Sequence, residues 1–266
     1  MNIFDLLDTD LNLVDEYIKI IELFDDKDFY RDFMGIGKSL NEVFNERIQY
    51  WKYRGTSTNT AEIFRKLHLG ARTTNEDAQK DILKLIQLSL NIKLFLEEYY
   101  EEIDDFILFK NIEVILNKLN YESYIEKDRV MLIPKNTEVL TAVNSVDKSL
   151  KLLLVEYLNF EIKDDIKSKK RILTDISFKL EPKRKEYNKI NKSLTENIFH
   201  LFNKVNIRHN NQEGKKKIEE IANMSDKEIL YWYDKTYEMI IYLLNQDKNN
   251  KNMKEVDELI RKIEGE

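Results

Sequence analysis

A mainly α fold, built of helical bundle domains with a small helix-plus-β-hairpin insert, is what the sequence predicts. Three observations carry that expectation. Only six glycines and two prolines punctuate 266 residues, too few for the many tight turns of a strand-rich fold. Apolar residues recur at three- and four-residue spacing over long stretches near both ends of the chain, the period of a helix with one buried face. One short central stretch, YIEKDRVMLIP, breaks that period and reads as two strands around a turn.

The elements follow in order. In LNLVDEYIKIIELF, Leu13, Tyr17, Ile20, Ile21 and Phe24 fall on one face and leave Asp15, Glu16 and Lys19 in water. RGTSTNTAEIF supplies a glycine-containing break and a fresh N-cap at Thr58 or Thr60. DILKLIQLSLNIKLFLEEYY carries a broader apolar face and is expected to be an internal helix. A short helix then precedes a hairpin, with strands at Tyr124-Ile125 and Val130-Ile133, a turn at Glu126 to Asp128, and Pro134 ending the second strand. From Asn144 the helical period returns. Pro182 marks a break, after which Tyr187, Ile190, Leu194, Ile198 and Leu201 form a packing face. Ser225 followed by Glu228 is a capping box ahead of ILYWYDKTYEMIIYLL. Two long helices are expected to flank NIRHNN. The terminal DKNNKNMKEVDELIRKIEGE is expected to begin as a polar linker and finish as a short amphipathic helix. The pattern divides the chain into a helical region at 1–105, a helix-hairpin region at 106–146 and a second helical domain at 147–266.

Composition narrows the function classes. A formal charge of -6 argues against a surface coated uniformly for DNA, while leaving room for a local basic patch. The absence of cysteine removes disulfide scaffolds, zinc ribbons and thiol nucleophiles. Acids within MNIFDLLDTD do not suit a signal peptide, and no run approaches a membrane span, so a cytoplasmic protein without membrane attachment is expected.

Several motifs favour structural readings. GIGKS at 35–39 resembles the end of a phosphate-binding loop, but Asp32 stands where the first glycine belongs and a helical pattern precedes it. A turn and helix start is the expectation. His68, His200 and His209 lack metal-ligand spacing, so no metal or other cofactor is expected, and His68 reads as a helix-terminal or packing residue. EEYYEEIDD at 97–105 reads as an exposed acidic face.

FNKVNIRHNNQEG at 202–214 is different, because it sets an arginine beside a histidine amid five amide side chains. It is either a helix stop with a well-bonded polar edge or a site that handles a phosphate. On the second reading His209 exchanges a proton with an RNA 2′-hydroxyl or the departing oxygen. Arg208 pairs with phosphate oxygens, and the amides of Asn203 and Asn206 orient the phosphate or the imidazole. Such chemistry needs no metal and yields a 2′,3′-cyclic phosphate. Just upstream, residues 163–192 hold eleven Lys or Arg against five Asp or Glu. Lys167, Lys169, Lys170, Arg171, Lys183, Arg184 and Lys185 are the candidates for phosphate-backbone contact, set against a solvated pair of helices that balances the acidic first region.

With LFNKVNIRHNN followed by the SDKEILYWYDKTYEMIIYLL helix, residues 147 to 246 resemble the HEPN superfamily, particularly HEPN-like proteins of bacterial abortive-infection systems. The resemblance implies a dimeric, metal-independent ribonuclease of a phage-defence or toxin system. It also implies RNA as substrate, His209 in proton transfer, Arg208 or Asn203 handling phosphate, and a regulatory or defence-system protein as partner. Familiar active members carry an arginine, often next to a polar residue, followed by the histidine after a gap of four to six residues. Here Asn203 stands six before His209 and Arg208 adjoins it. The alternative is a noncatalytic helical nucleic-acid sensor or protein-interaction regulator, in which Arg208, His209 and the asparagines cap helices, bind a ligand or hold a dimer. A homodimer is separately suggested by the apolar breadth of Tyr231, Trp232, Tyr233, Tyr237, Ile240, Ile241 and Leu244, set against burial of all of them within one chain.

Overall fold

A computed structural model describes residues 11–31, 34–100, 103 and 106–264. The readings made of residues 1–10, of Asp32, and of the acids at 101, 102, 104 and 105 lie outside the described residues. Among the described residues the protein is mainly helical, with two small antiparallel hairpins, and no helix there is long and apolar enough to cross a membrane. The chain divides into two compact units, 1–134 and 135–266. The predicted helix-hairpin region is thus shared out, its helix and strands going to the first unit and residues 135–146 to the second.

In the first unit α1 (Leu13–Phe24) is capped by Asn12 and buries Tyr17, Ile20 and Phe24. Strands β1 (Tyr30–Arg31) and β2 (Gly37–Lys38) form a two-residue ladder. GIGKS is a turn and helix start as read: Ser39 and Glu42 close a capping box on α2 (Leu40–Arg47). Gly37 is required because a Cβ there would lie 2.5 Å from the Lys27 carbonyl oxygen. The cap of α3 (Thr60–Lys66) is Asn59, between the two threonines proposed; Thr58 instead hydrogen-bonds Glu62. His68 follows that helix at φ +56°, a helix-terminal position.

Helix α4 (Ala78–Leu96) is the internal helix expected, with Ile82, Leu85, Ile86, Ile92 and Leu96 fully buried. After α5 (Ile107–Lys118), β3 (Tyr121–Glu126) pairs with β4 (Arg129–Pro134) around Lys127-Asp128. The strands are longer than the sequence suggested, and Glu126 belongs to the first of them. Two α4 amides complete the ladder. Asn91 both donates to the Val130 carbonyl and accepts from its N–H, at 2.9 Å each, and Gln87 accepts from the Leu132 N–H at 3.0 Å. Four residues of helix rise about 6 Å and two residues of strand about 6.7 Å, so the two spacings match. The next outward position is Pro134, which has no N–H to leave unsatisfied.

The second unit contains α6 (Thr137–Val143), α7 (Lys148–Leu158), α8 (Ile166–Leu180), α9 (Arg184–Ile190), α10 (Lys192–Lys204), α11 (Glu219–Ala222) and α12 (Asp226–Glu264). Asp147, Asp165 and Asn191 cap α7, α8 and α10. Pro182 sits in a short 3₁₀ turn, as its missing donor requires. Of the packing face proposed beyond it, Tyr187 and Ile198 are buried, while a break at Asn191 turns Ile190 and Leu194 partly outward. Phe199 and Phe202 take over as core residues. Ser225 and Glu228 form the predicted capping box. Beyond it α12 runs unbroken for 39 residues, so the predicted linker and separate terminal helix are a continuation of one rod. Lys and Asn in DKNNKNMK tolerate helix well enough that nothing there terminates it.

Candidate functional site

The NIRHNN segment leaves α10 through a left-handed residue. Asn206 has φ +55° and is 5% exposed; asparagine adopts this conformation more readily than other side-chain-bearing residues. Its amide and that of Asn211 clasp each other's backbone. The Asn206 N–H donates to Asn211 Oδ1 at 3.1 Å, and the Asn211 N–H to Asn206 Oδ1 at 3.3 Å. Asn206 Nδ2 donates to Gln212 Oε1, and Asn211 Nδ2 to the Lys216 carbonyl. Neighbouring helices close the shell: Lys170 Nζ donates to Asn206 Oδ1 at 3.0 Å and the Tyr233 hydroxyl to the Asn206 carbonyl at 3.1 Å. Burial pushes the Lys170 ammonium down and the Tyr233 phenol up to about 12. Asn210 accepts from two following N–H groups and shapes the exposed turn.

Arg208 is committed inward. Its Nε donates to Ser177 Oγ at 2.7 Å and its Nη2 to the Ser177 carbonyl at 2.8 Å, while Nη1 lies 2.6 Å from Glu181 Oε2. The rings of Phe178, Phe199 and Phe202 surround the guanidinium at 5.3 to 5.6 Å from their centroids. The side chain is 14% exposed. Arg184 shares the assembly, stacking on Phe199 at 4.5 Å and lying 3.6 Å from Glu181. This guanidinium fastens the loop to α8.

His209 stands apart from these contacts. It is partly exposed, and Lys216 Nζ lies 3.2 Å from Nδ1 and 3.3 Å from Nε2. Asn203 turns its amide back to the Phe199 carbonyl on its own helix. The fold therefore joins Asn206 with Asn211, and His209 with Lys216, but gives Arg208 and His209 different surroundings. Lys216, Ser177 and Glu181 were not among the sequence candidates. Their roles come from tertiary placement, which local spacing does not report.

The basic candidates also separate. Lys169 is 4% exposed, 2.6 Å from Asp234 and over the Tyr157 ring. Tyr157 donates to the same Asp234 oxygen and stacks on Tyr237 at 4.3 Å; burial, then the Asp234 charge, raises its pKa. Arg171 pairs with Glu156 at 2.6 Å. Lys167, Lys183 and Lys185 remain exposed, but Lys167 lies near one end of α8 and the other two beyond its far end, roughly 24 Å apart along the chain's helical rise. These residues do not make one continuous basic stripe.

In the first unit a cleft of about 360 Å³ is lined by Tyr50, Trp51, Tyr53 and Phe95, with Lys52 and Tyr53 both held by Asp128. Among the described residues no group of three or more His, Asp or Glu side chains is placed to hold a metal ion.

The far half of α12 is the largest departure from expectation. Tyr233, Tyr237, Ile240, Ile241 and Leu244 are buried within the unit, leaving Tyr231, Trp232 and Tyr242 exposed. From Asn249 onward every described residue is exposed, including Met253, Val256, Leu259, Ile260 and Ile263. At about 100° per residue, Met253, Val256, Ile260 and Ile263 fall within about 50° of the line through Tyr231 and Tyr242. That line lies opposite Tyr233, Ile240 and Leu244. Lys251, Lys254, Glu258 and Lys262 continue the buried side instead. The apolar face of this helix thus changes sides halfway along. Comparison with models of known protein families, with curated proteins and with solved structures finds no match for this chain.

Proposed function

We propose that the protein is a noncatalytic helical interaction protein whose binding element is the far half of α12. The observation that carries this reading is the change of face. A segment of roughly 16 residues is marginal as an isolated helix in water, and its apolar side faces away from the unit's own core. An amphipathic helix presenting anchors at three- and four-residue spacing suits a partner's groove or a partner helix. The inward commitment of Arg208 supports the same reading, since its guanidinium cannot meet a phosphate without abandoning Ser177 and Glu181. A photo-crosslinking residue at Ile260 in cells should give an adduct of discrete mass that Val256→Asp abolishes. Absence of any adduct above background would count decisively against the proposal.

A second reading keeps the HEPN-like ribonuclease of a defence or toxin system, favoured by one observation: His209 is solvent-accessible with an ammonium beside it. In that reading His209 moves the proton and Lys216, in place of Arg208, neutralises the phosphate. Purified protein incubated with structured and unstructured RNA in chelator should then yield cyclic-phosphate ends, and both His209→Ala and Lys216→Ala should suppress them. Intact RNA under all conditions would remove this reading.

A further inference from the structure

We infer that the occupant of the α12 face is a second copy of this chain, its α12 laid antiparallel so that the free half of each helix covers the exposed aromatics of the other. The inference rests on the interaction reading above and names its partner. Alternating steps of three and four residues run from Trp232 through Lys235, Met239, Tyr242, Gln246, Asn249, Met253, Val256 and Ile260 to Ile263. This is the repeat of a two-helix seam.

One antiparallel register satisfies the whole seam. With Gln246 opposite Asn249, Tyr242 meets Met253, Met239 meets Val256 and Trp232 meets Ile263. Gln246, whose Oε1 accepts from Asn191 Nδ2 of its own chain, keeps its amide N–H groups for Asn249 at the two-fold axis, where a polar pair fixes register. Lys235, paired with Glu238 on its own helix, falls opposite Ile260, near Asp257 and Glu264 of the other copy. The parallel alternative would set Lys235 against Lys235. Charge therefore selects the antiparallel arrangement.

The area is sufficient. Tyr231, Trp232, Tyr242, Met253, Val256, Leu259, Ile260 and Ile263 are each between 37% and 75% exposed, together on the order of 800 Å² of side-chain surface, the share each partner contributes to a standard stable interface. The contact is self-complementary, with the apolar free half of one copy on the aromatic body half of the other, as a two-fold dimer requires.

The full-length chain should scatter light as a dimer from about 1 to 100 µM. Ile260→Asp should weaken association at least about 100-fold without altering the unfolding of the second unit, because Ile260 lies in the exposed stretch of α12. The chain has no native cysteine, so orientation is directly readable. Tyr242→Cys and Met253→Cys proteins should stay uncrosslinked when oxidised alone and form a disulfide-linked dimer when mixed. Crosslinking of either alone would overturn the antiparallel arrangement. A monomer at about 100 µM would overturn the second copy, and hydrogen exchange then separates the two failures. Rapid exchange at residues 250–260 would leave the interaction reading intact with a different partner. Slow exchange in a monomer would show a helix stable without a cover, and would sink both.

Discussion

Replacing Arg208 by alanine separates a structural fastener from a residue held ready for a ligand. The substitution removes two charge-assisted hydrogen bonds to Ser177, a fully buried residue, and uncovers three aromatic faces. The Ser177 hydroxyl still donates to the Thr174 carbonyl, and its own carbonyl still accepts from the Glu181 N–H, so neither group is wholly orphaned. Glu181 is 41% exposed as a side chain although its Oε2 is covered; loss of the Arg208 side chain opens that oxygen to water, which discounts the ion pair. Charge-assisted bonds contribute about 1.5 to 3 kcal/mol each before compensation. The surviving partners halve that, and lost packing adds roughly 1 kcal/mol. The expected destabilisation is about 3 kcal/mol, a drop of roughly 10 °C in midpoint for a unit of this size. Two units make a whole-chain transition ambiguous. Trp51 lies in the first unit and Trp232 in the second, so urea unfolding followed by fluorescence in a Trp51→Phe background reports the second alone. Arg208→Lys should lose about 2 kcal/mol, because an ammonium cannot span both Ser177 acceptors while lying flat between rings. A change within about 0.5 kcal/mol for Arg208→Ala, the range of ordinary surface positions, would refute the fastener.

Further outcomes follow from the same contacts. Asn206→Ala should destabilise the second unit more than Asn206→Gly, since both lose the amide clasp but only glycine accepts φ +55° freely; the gap, about 1 kcal/mol, is measurable by the same fluorescence, and reversal of the order would contradict the clasp. Asp234→Ala should cost more than Lys169→Met, because the first strands a buried ammonium and the second frees a carboxylate that is 48% exposed; equal losses would remove that asymmetry. Burial raises Tyr233 to about 12. A raised folded pKa contributes stability that is complete below about pH 10 and lost as pH rises through the folded value. The urea midpoint should therefore fall between pH 10 and 12, less steeply in Tyr233→Phe. At the acid end the Ser149 hydroxyl, first among its partners, holds the Asp147 carboxyl low. Its contribution is present above the unfolded value near pH 4 and disappears as pH falls through the folded one, so Asp147→Asn should flatten that limb.

Elements with a local cause were legible in the sequence, and those with a tertiary cause were not. Periodicity located α1, and Ser225 with Glu228 marked the start of α12, because a cap is chemistry between residues three apart. The break at Asn191 was hidden: asparagine interrupts a helix only when neighbours reward it, and here its amide caps Leu194 and meets Gln246. The chain between Asp247 and Met253 looked like a linker because it is polar, yet polarity there reflects solvent on one side of a continuing helix. At NIRHNN the sequence identified an unusual cluster and left its purpose open. Asn206 was proposed to orient a phosphate; its amide orients the loop. Arg208 looked available because Ser177 and Glu181 lie about thirty residues away.

The match between α4 and β4 also bears on how the first unit comes into being. Residues 87 and 91 leave the ribosome about forty residues ahead of the strand whose N–H groups they receive. The helix sequence is therefore available before the hairpin, and once helical it presents two acceptors at a spacing only an extended, in-register strand can use. A hairpin slipped by one residue would aim the wrong N–H groups at them and bury the wrong side chains. Gln87 and Asn91 thus reward one register of the hairpin over its neighbours, and they cover the outer edge of β4 that would otherwise be open to another strand.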